Sequence, residues 1–112
     1  MACGGAMAYT RSVMDEPTLT VFAEFHAHPG KEEELRGLLQ GLIEPTREEP
    51  GCLQYDLHAD NDEPGRFLFF ERWTSLARLQ AHLGSPHFTA FQSRSAGLAA
   101  EPPRIVFASR IA

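Results

Sequence analysis

Three features of the sequence predict an α+β fold, a four-stranded antiparallel sheet with helices on one face. Four short segments carry strand-type apolar patterning. The stretches after the first and third of them carry apolar residues at helical spacing, and the Gly and Pro turn formers fall at the junctions. The resulting order is β-α-β-β-α-(α)-β. A chain of 112 residues makes one domain with a modest core.

Residues 1–16 hold glycines and small residues without periodicity and read as a disordered leader, with Met14 closer to the natural start. The domain is expected over 17–112. Thr18 to Ala27 forms the first strand: Leu19, Val21, Ala23 and Phe25 face one way, and Thr20, Phe22, Glu24 and His26 the other. The second set mixes polar and apolar residues, as a cavity wall does.

Pro29-Gly30 turns the chain into a helix that opens on Lys31 to Glu34, with acids where the dipole favours them. Leu35, Leu38, Leu39, Leu42 and Ile43 give it an apolar face. Pro45 kinks or restarts it, and a polar turn runs to about Glu49 before Pro50-Gly51 ends it. Cys52 to Ala59 is the second strand, with Leu53, Tyr55, Leu57 and Ala59 on one face and Cys52, Gln54, Asp56 and His58 on the other. Asn61 to Gly65 makes the hairpin turn to the third strand.

That third strand opens with the apolar run Phe67 to Phe70, which predicts burial on both faces. Alternation puts Phe67, Phe69, Glu71 and Trp73 together, so a glutamate sits among aromatics. Ser75 caps a helix bearing Leu76, Leu79 and Leu83, with His82 beside that stripe and Gly84 placed to go left-handed. Ser85-Pro86 reads as N-cap and N1 of a further helix, with Phe88, Phe91 and Leu98 on one face. His87 falls at N2, where unpaired N–H groups and the positive dipole end favour a neutral imidazole able to accept a proton. After Pro102-Pro103, Arg104 to Ile111 gives the last strand. This is the ferredoxin-like split βαβ order.

Helices cover only one face of such a sheet, yet the third strand is apolar on both and the first and last strands carry few charges. A second copy, sheet against sheet in a two-fold homodimer, is the economical cover. Acidic residues outnumber basic ones, 15 to 10, which makes nucleic acid and anionic membrane poor partners. No apolar run is long enough for a membrane span, and two cysteines at positions 3 and 52 fit free thiols in a reducing, cytoplasmic setting.

No glycine-rich phosphate loop, dinucleotide fingerprint, CxxC, HExxH or GxSxG is present. His26 and His28 lack a third ligand nearby, and the acidic run at Glu32 to Glu34 reads as a solvated helix start, so no metal site is expected. A pocket of Phe, Trp, Tyr and His with few charges suits a small flat aromatic substrate. Against this, Glu71 has a structural reading as the partner of an arginine such as Arg104, and Trp73 as plain core.

With these residues laid out, the chain resembles the antibiotic biosynthesis monooxygenase superfamily of dimeric α+β barrels, particularly its small quinol-monooxygenase-like members. The resemblance runs from about Leu19 to Ile111. It is carried by LTVFAEFHAHPGKEEEL, by EPGCLQYDLH, and above all by Glu71-x-Trp73 followed by Ala81-His82-Leu83 and Ser85-Pro86-His87-Phe88. It implies oxidation of quinol-type or polyketide-like aromatics by dioxygen without metal, flavin or nicotinamide, the deprotonated substrate supplying the electron. Such chemistry asks for a dry aromatic pocket, a proton acceptor and a donor that holds the substrate oxygen. His87 is the expected acceptor, Trp73 and Phe69 pocket walls, and Glu71, His58 or Tyr55 the polar orienter, with His82, Phe88 and Phe91 completing the substrate-binding set. Related heme-degrading members use an asparagine on the first strand, whereas the one asparagine here is Asn61 in the hairpin turn, which speaks against heme degradation. A non-catalytic aromatic-ligand or stress-response binding module, and an isomerase or lyase, are the competing readings on the same scaffold.

Overall fold

The structure, a computed structural model, describes residues 18–112. The expected leader and Cys3 lie outside the described residues. Eight elements follow the expected order: β1 (Leu19–His26), α1 (Glu32–Gln40), α2 (Ile43–Arg47), β2 (Cys52–Ala59), β3 (Arg66–Trp73), α3 (Leu76–Leu83), α4 (Pro86–Ser95) and β4 (Arg104–Ala108). The strands form one antiparallel sheet in the order β2-β3-β1-β4, which is the ferredoxin-like arrangement.

Alternation sorts the sheet into two faces. Val21, Ala23 and Phe25 of β1, Tyr55 of β2, and Phe67, Phe69 and Trp73 of β3 are buried beneath Leu35, Leu39, Leu79 and Phe91 of the helices. β3 is fully buried on this face only; Leu68, Phe70 and Arg72 opposite are half-buried. The mixed set of β1 therefore belongs to the uncovered face and is not the wall of an internal cavity. There Glu24 pairs with Arg66 at 3.1 Å and Phe22 packs on Phe70. Arg104 approaches the same Glu24, not Glu71, which points to the other side of the sheet.

Several local expectations shift for identifiable reasons. Pro45 stands in the first turn of α2, where no intrahelical N–H bond is forfeited, so the helix restarts at Ile43 after the Gly41-Leu42 break. A bulge at Leu53 lets Cys52 face Trp73 across the sheet while Gln54 faces Arg72, so Cys52 joins the covered face and Leu53 leaves it. Gly84 has φ −97° and ends α3 without a left-handed residue. Ser75 and Ser85 cap α3 and α4 through their hydroxyls, each accepting the N–H three residues on. α4 ends at Ser95, so Leu98 packs on the core from the following loop.

Candidate functional site

Between the covered face of the sheet and α3–α4 lies a cavity of about 280 Å³, near the lower end of small-ligand pockets. Its walls are apolar: Phe25, Phe69, Leu79, Leu83, Phe88, Ile105 and Phe107 line it, with Tyr55, Gln92, Glu71 and His82 as the polar exceptions. The helices stop short of β4, so Ile105 and Phe107 stay about half exposed and mark the open side. A larger, shallower hollow lies on the uncovered face against residues 108–112, with Arg72 and Arg110 as its charged groups.

Glu71 is 5% exposed. Its Oε1 accepts the indole N–H of Trp73 at 2.9 Å, an i, i+2 pair on one side of β3. Burial raises its pKa to about 7, the Trp73 hydrogen bond pulls the other way, and the charge of Glu49 adds to the rise. Near neutral pH this carboxyl is poised between acid and base. Burial, reinforced by Glu71, raises the Tyr55 phenol far above the usual range, so it stays protonated. Thr46, fully buried, sets its hydroxyl beside that phenol and opposes the rise only in part.

His82 is buried against Trp73 and Phe88, with ring centroids 5.0 Å from each. Its Nδ1 lies 2.7 Å from Glu49 Oε2, and His87 Nε2 lies 2.7 Å from that same oxygen. Burial holds the His82 imidazolium down, and the Glu49 contact opposes this only in part. A carboxylate can only accept, so neutral His82 must carry its proton on Nδ1. That leaves a lone pair on Nε2, which makes no hydrogen bond among the described residues.

The chain path explains how three distant residues meet. Gly51, at φ +86°, reverses the chain after Glu49, and its carbonyl accepts the Thr74 N–H at the end of β3. A Cβ on Gly51 would come within 2.4 Å of the Arg78 side chain, so only glycine lets this turn lie against α3. The Ser85 hydroxyl donates to the His82 carbonyl at 2.7 Å, closing the tight α3–α4 junction that turns both histidines towards Glu49.

The residues singled out from sequence do not all meet at the cavity. Glu71, Tyr55, Phe69, His82 and Phe88 line the cavity. Trp73 stands behind Glu71, fully buried, and His87 lies beyond Glu49, off the cavity wall. Phe91 is buried against Phe25 and Phe88, and His58 is exposed on the uncovered face opposite Leu68. Glu49 was not foreseen: within Glu48-Glu49-Pro50-Gly51 nothing in the residue pattern separates it from its neighbour. With His82 and His87 it offers one oxygen and two nitrogens within 4.8 Å of one another, close enough to share a metal ion.

Comparison with known proteins places these observations. Residues 18–94 match the family model described as antibiotic biosynthesis monooxygenase. The chain is 41% identical over 91 residues to the uncharacterized protein sll1783 of Synechocystis, covering 81% of this chain but only 61% of that longer relative. It is 34% identical to an Escherichia coli protein named "probable quinol monooxygenase YgiN", covering 70% of this chain and 86% of the other. The crystal structure of PA3566 from Pseudomonas aeruginosa superimposes with a TM-score of 0.83 at 35% identity, over 93% of this chain and all of that one.

Proposed function

The chain belongs to the antibiotic biosynthesis monooxygenase family, and from that premise we propose that its cavity oxidises a small ionisable aromatic, of quinol or anthrone type, with dioxygen and no bound cofactor. The observation that carries this reading is an apolar cavity whose wall sets two titratable groups, Glu71 and His82, among aromatic rings. His82 Nε2, the lone-pair nitrogen left by the Glu49 contact, takes the acidic proton of the substrate. The low-polarity walls supply no competing water, which favours electron transfer from the resulting anion to dioxygen.

For an anthrone the balance is simple. The carbanion gives one electron to dioxygen, the radical pair joins as a carbon–peroxide bond, and the peroxide accepts a proton. The O–O bond then breaks as the second C–H proton leaves to a base, giving a ketone and water. Glu71, poised near neutrality, is placed to hold the substrate oxygen as a donor and to return the proton; Trp73 positions it. His87 acts through Glu49 in this scheme, not on the substrate.

The same reading includes a homodimer. Phe22 is 47% and Val106 37% exposed in the middle of the uncovered face, beside half-buried Leu68 and Phe70. A second copy is the partner that buries this apolar strip while leaving the Glu24–Arg66 pair and the Arg47–Asp56 pair at its rim. No helix among the described residues is long and apolar enough to cross a membrane.

The test is dioxygen consumption by chelator-treated protein with a panel of hydroquinones and anthrones, after subtraction of autoxidation. Enzyme-dependent uptake that falls at least about a hundredfold in folded His82→Gln supports the reading. Turnover that survives this change removes His82 from the mechanism. Binding of the aromatics without uptake leaves a binding module, and turnover without dioxygen an isomerase or lyase.

A further inference from the structure

We propose that Glu49, His82 and His87 form a site for one divalent transition-metal ion of the zinc class, whose arrival reverses the hydrogen-bonding sense of His82 towards the cavity. Three observations carry it. The three donor atoms, Glu49 Oε2, His82 Nδ1 and His87 Nε2, lie within 4.8 Å of one another, and the oxygen is 2.7 Å from each nitrogen. Two imidazoles and one carboxylate are the donor set that zinc-class ions take in three-ligand sites, with a fourth position left for water. The donors also sit on braced backbone: the Gly51 reversal holds Glu49, the Ser85 cap holds the α3–α4 junction, and the Trp73 and Phe88 rings hold the His82 ring.

Access is graded in the right sense for an ion arriving from solvent. The side chains of His87 and Glu49 are 23% and 13% exposed, and that of His82 only 2%. An ion reaches the cluster from the His87 side without crossing the aromatic cavity.

The consequence follows from proton bookkeeping on one ring. With Glu49 alone opposite it, neutral His82 carries its proton on Nδ1 and presents a lone pair at Nε2. A metal ion bonded to Nδ1 displaces that proton, and a neutral imidazole then holds its remaining proton on Nε2. Nε2, the nitrogen assigned above to the substrate, becomes a donor and can no longer take a proton from it. His87 likewise gives up its Nε2 proton and keeps one on Nδ1. The ion is thus an inhibitor of the proposed reaction, a consequence that rests on His82 being the proton acceptor; binding of the ion does not.

Binding is read without any substrate. Chelator-stripped protein is titrated with Co(II) and Zn(II), following visible absorption and heat. The expected result is one equivalent per chain, a four- or five-coordinate cobalt spectrum, and affinity lower by at least about tenfold in Glu49→Gln and in His87→Ala. Nitrogen-15 spectra of the histidines should move the His82 proton from Nδ1 to Nε2 on zinc addition. Absence of saturable binding, or binding unchanged in both variants, would overturn the site. Binding with the expected ligand dependence but without effect on dioxygen uptake would overturn the inhibitory consequence alone.

Discussion

Replacing Glu71 by glutamine separates the charge of this buried carboxyl from its shape. Glutamine keeps an oxygen to accept the Trp73 indole N–H and fills the same volume, but it cannot ionise. In the folded chain the Glu71 pKa is raised from 4.5 to about 7, chiefly by burial. The folded state therefore binds this proton more tightly than the unfolded state. Its contribution to stability is fully present below about pH 4.5 and is lost as pH rises through 7. At about 1.4 kcal/mol for each pH unit, the rise amounts to about 3 kcal/mol lost by pH 8.5. Glu71→Gln does not suffer that loss. Urea unfolding, followed by Trp73 fluorescence at fixed protein concentration, should show the stability of the variant relative to the parent chain increasing by about 3 kcal/mol between pH 4.5 and 8.5. Parallel pH profiles for the two proteins would refute the argument that Glu71 is desolvated and uncompensated.

Other consequences are more local. Gly51→Ala forces a Cβ into the Arg78 and Thr74 side chains at a positive φ, and should lower stability by at least about 2 kcal/mol in thermal unfolding while disturbing the Glu49 clamp. Ser85→Ala removes the cap of α4 and the bond to the His82 carbonyl; a loss of about 1 kcal/mol is expected by urea titration. Light scattering at low micromolar concentration should give twice the chain mass, and Phe22→Arg should shift it towards the monomer; a monomeric parent chain would undo the argument that a sister sheet covers the open face. Phe88→Ala opens the cavity wall and should cost about 3 kcal/mol in stability, with weaker binding of aromatic ligands measured by Trp73 fluorescence quenching.

The fold was legible because its signals are local. Period-two patterning located β2 to the residue, and Ser75 and Ser85 named their helices through side chains that cap three residues away. The placement of Glu71 among aromatics followed from alternation alone and reappears as the Trp73 bond and the raised pKa. What escaped was set by chain reversal and by packing at a distance. The Leu53 bulge moves Cys52 across the sheet with no signature in CLQYDLHA. Glu49 meets His82 only because Gly51 turns under α3, a contact 33 residues long in sequence. The first-turn position that singled out His87 says nothing of which histidine reaches the cavity; only the fold shows that His82 lines it and His87 faces the carboxylate from outside.

Isotope transfer tests the central claim most directly. Chelator-treated protein and an anthrone are incubated under oxygen-18 gas, and the product is weighed by mass spectrometry against a protein-free control. The account predicts enzyme-dependent formation of the quinone with one heavy oxygen atom, at a rate that falls sharply in His82→Gln. Product formed no faster than in the control, or quinone whose new oxygen comes from water, would contradict it.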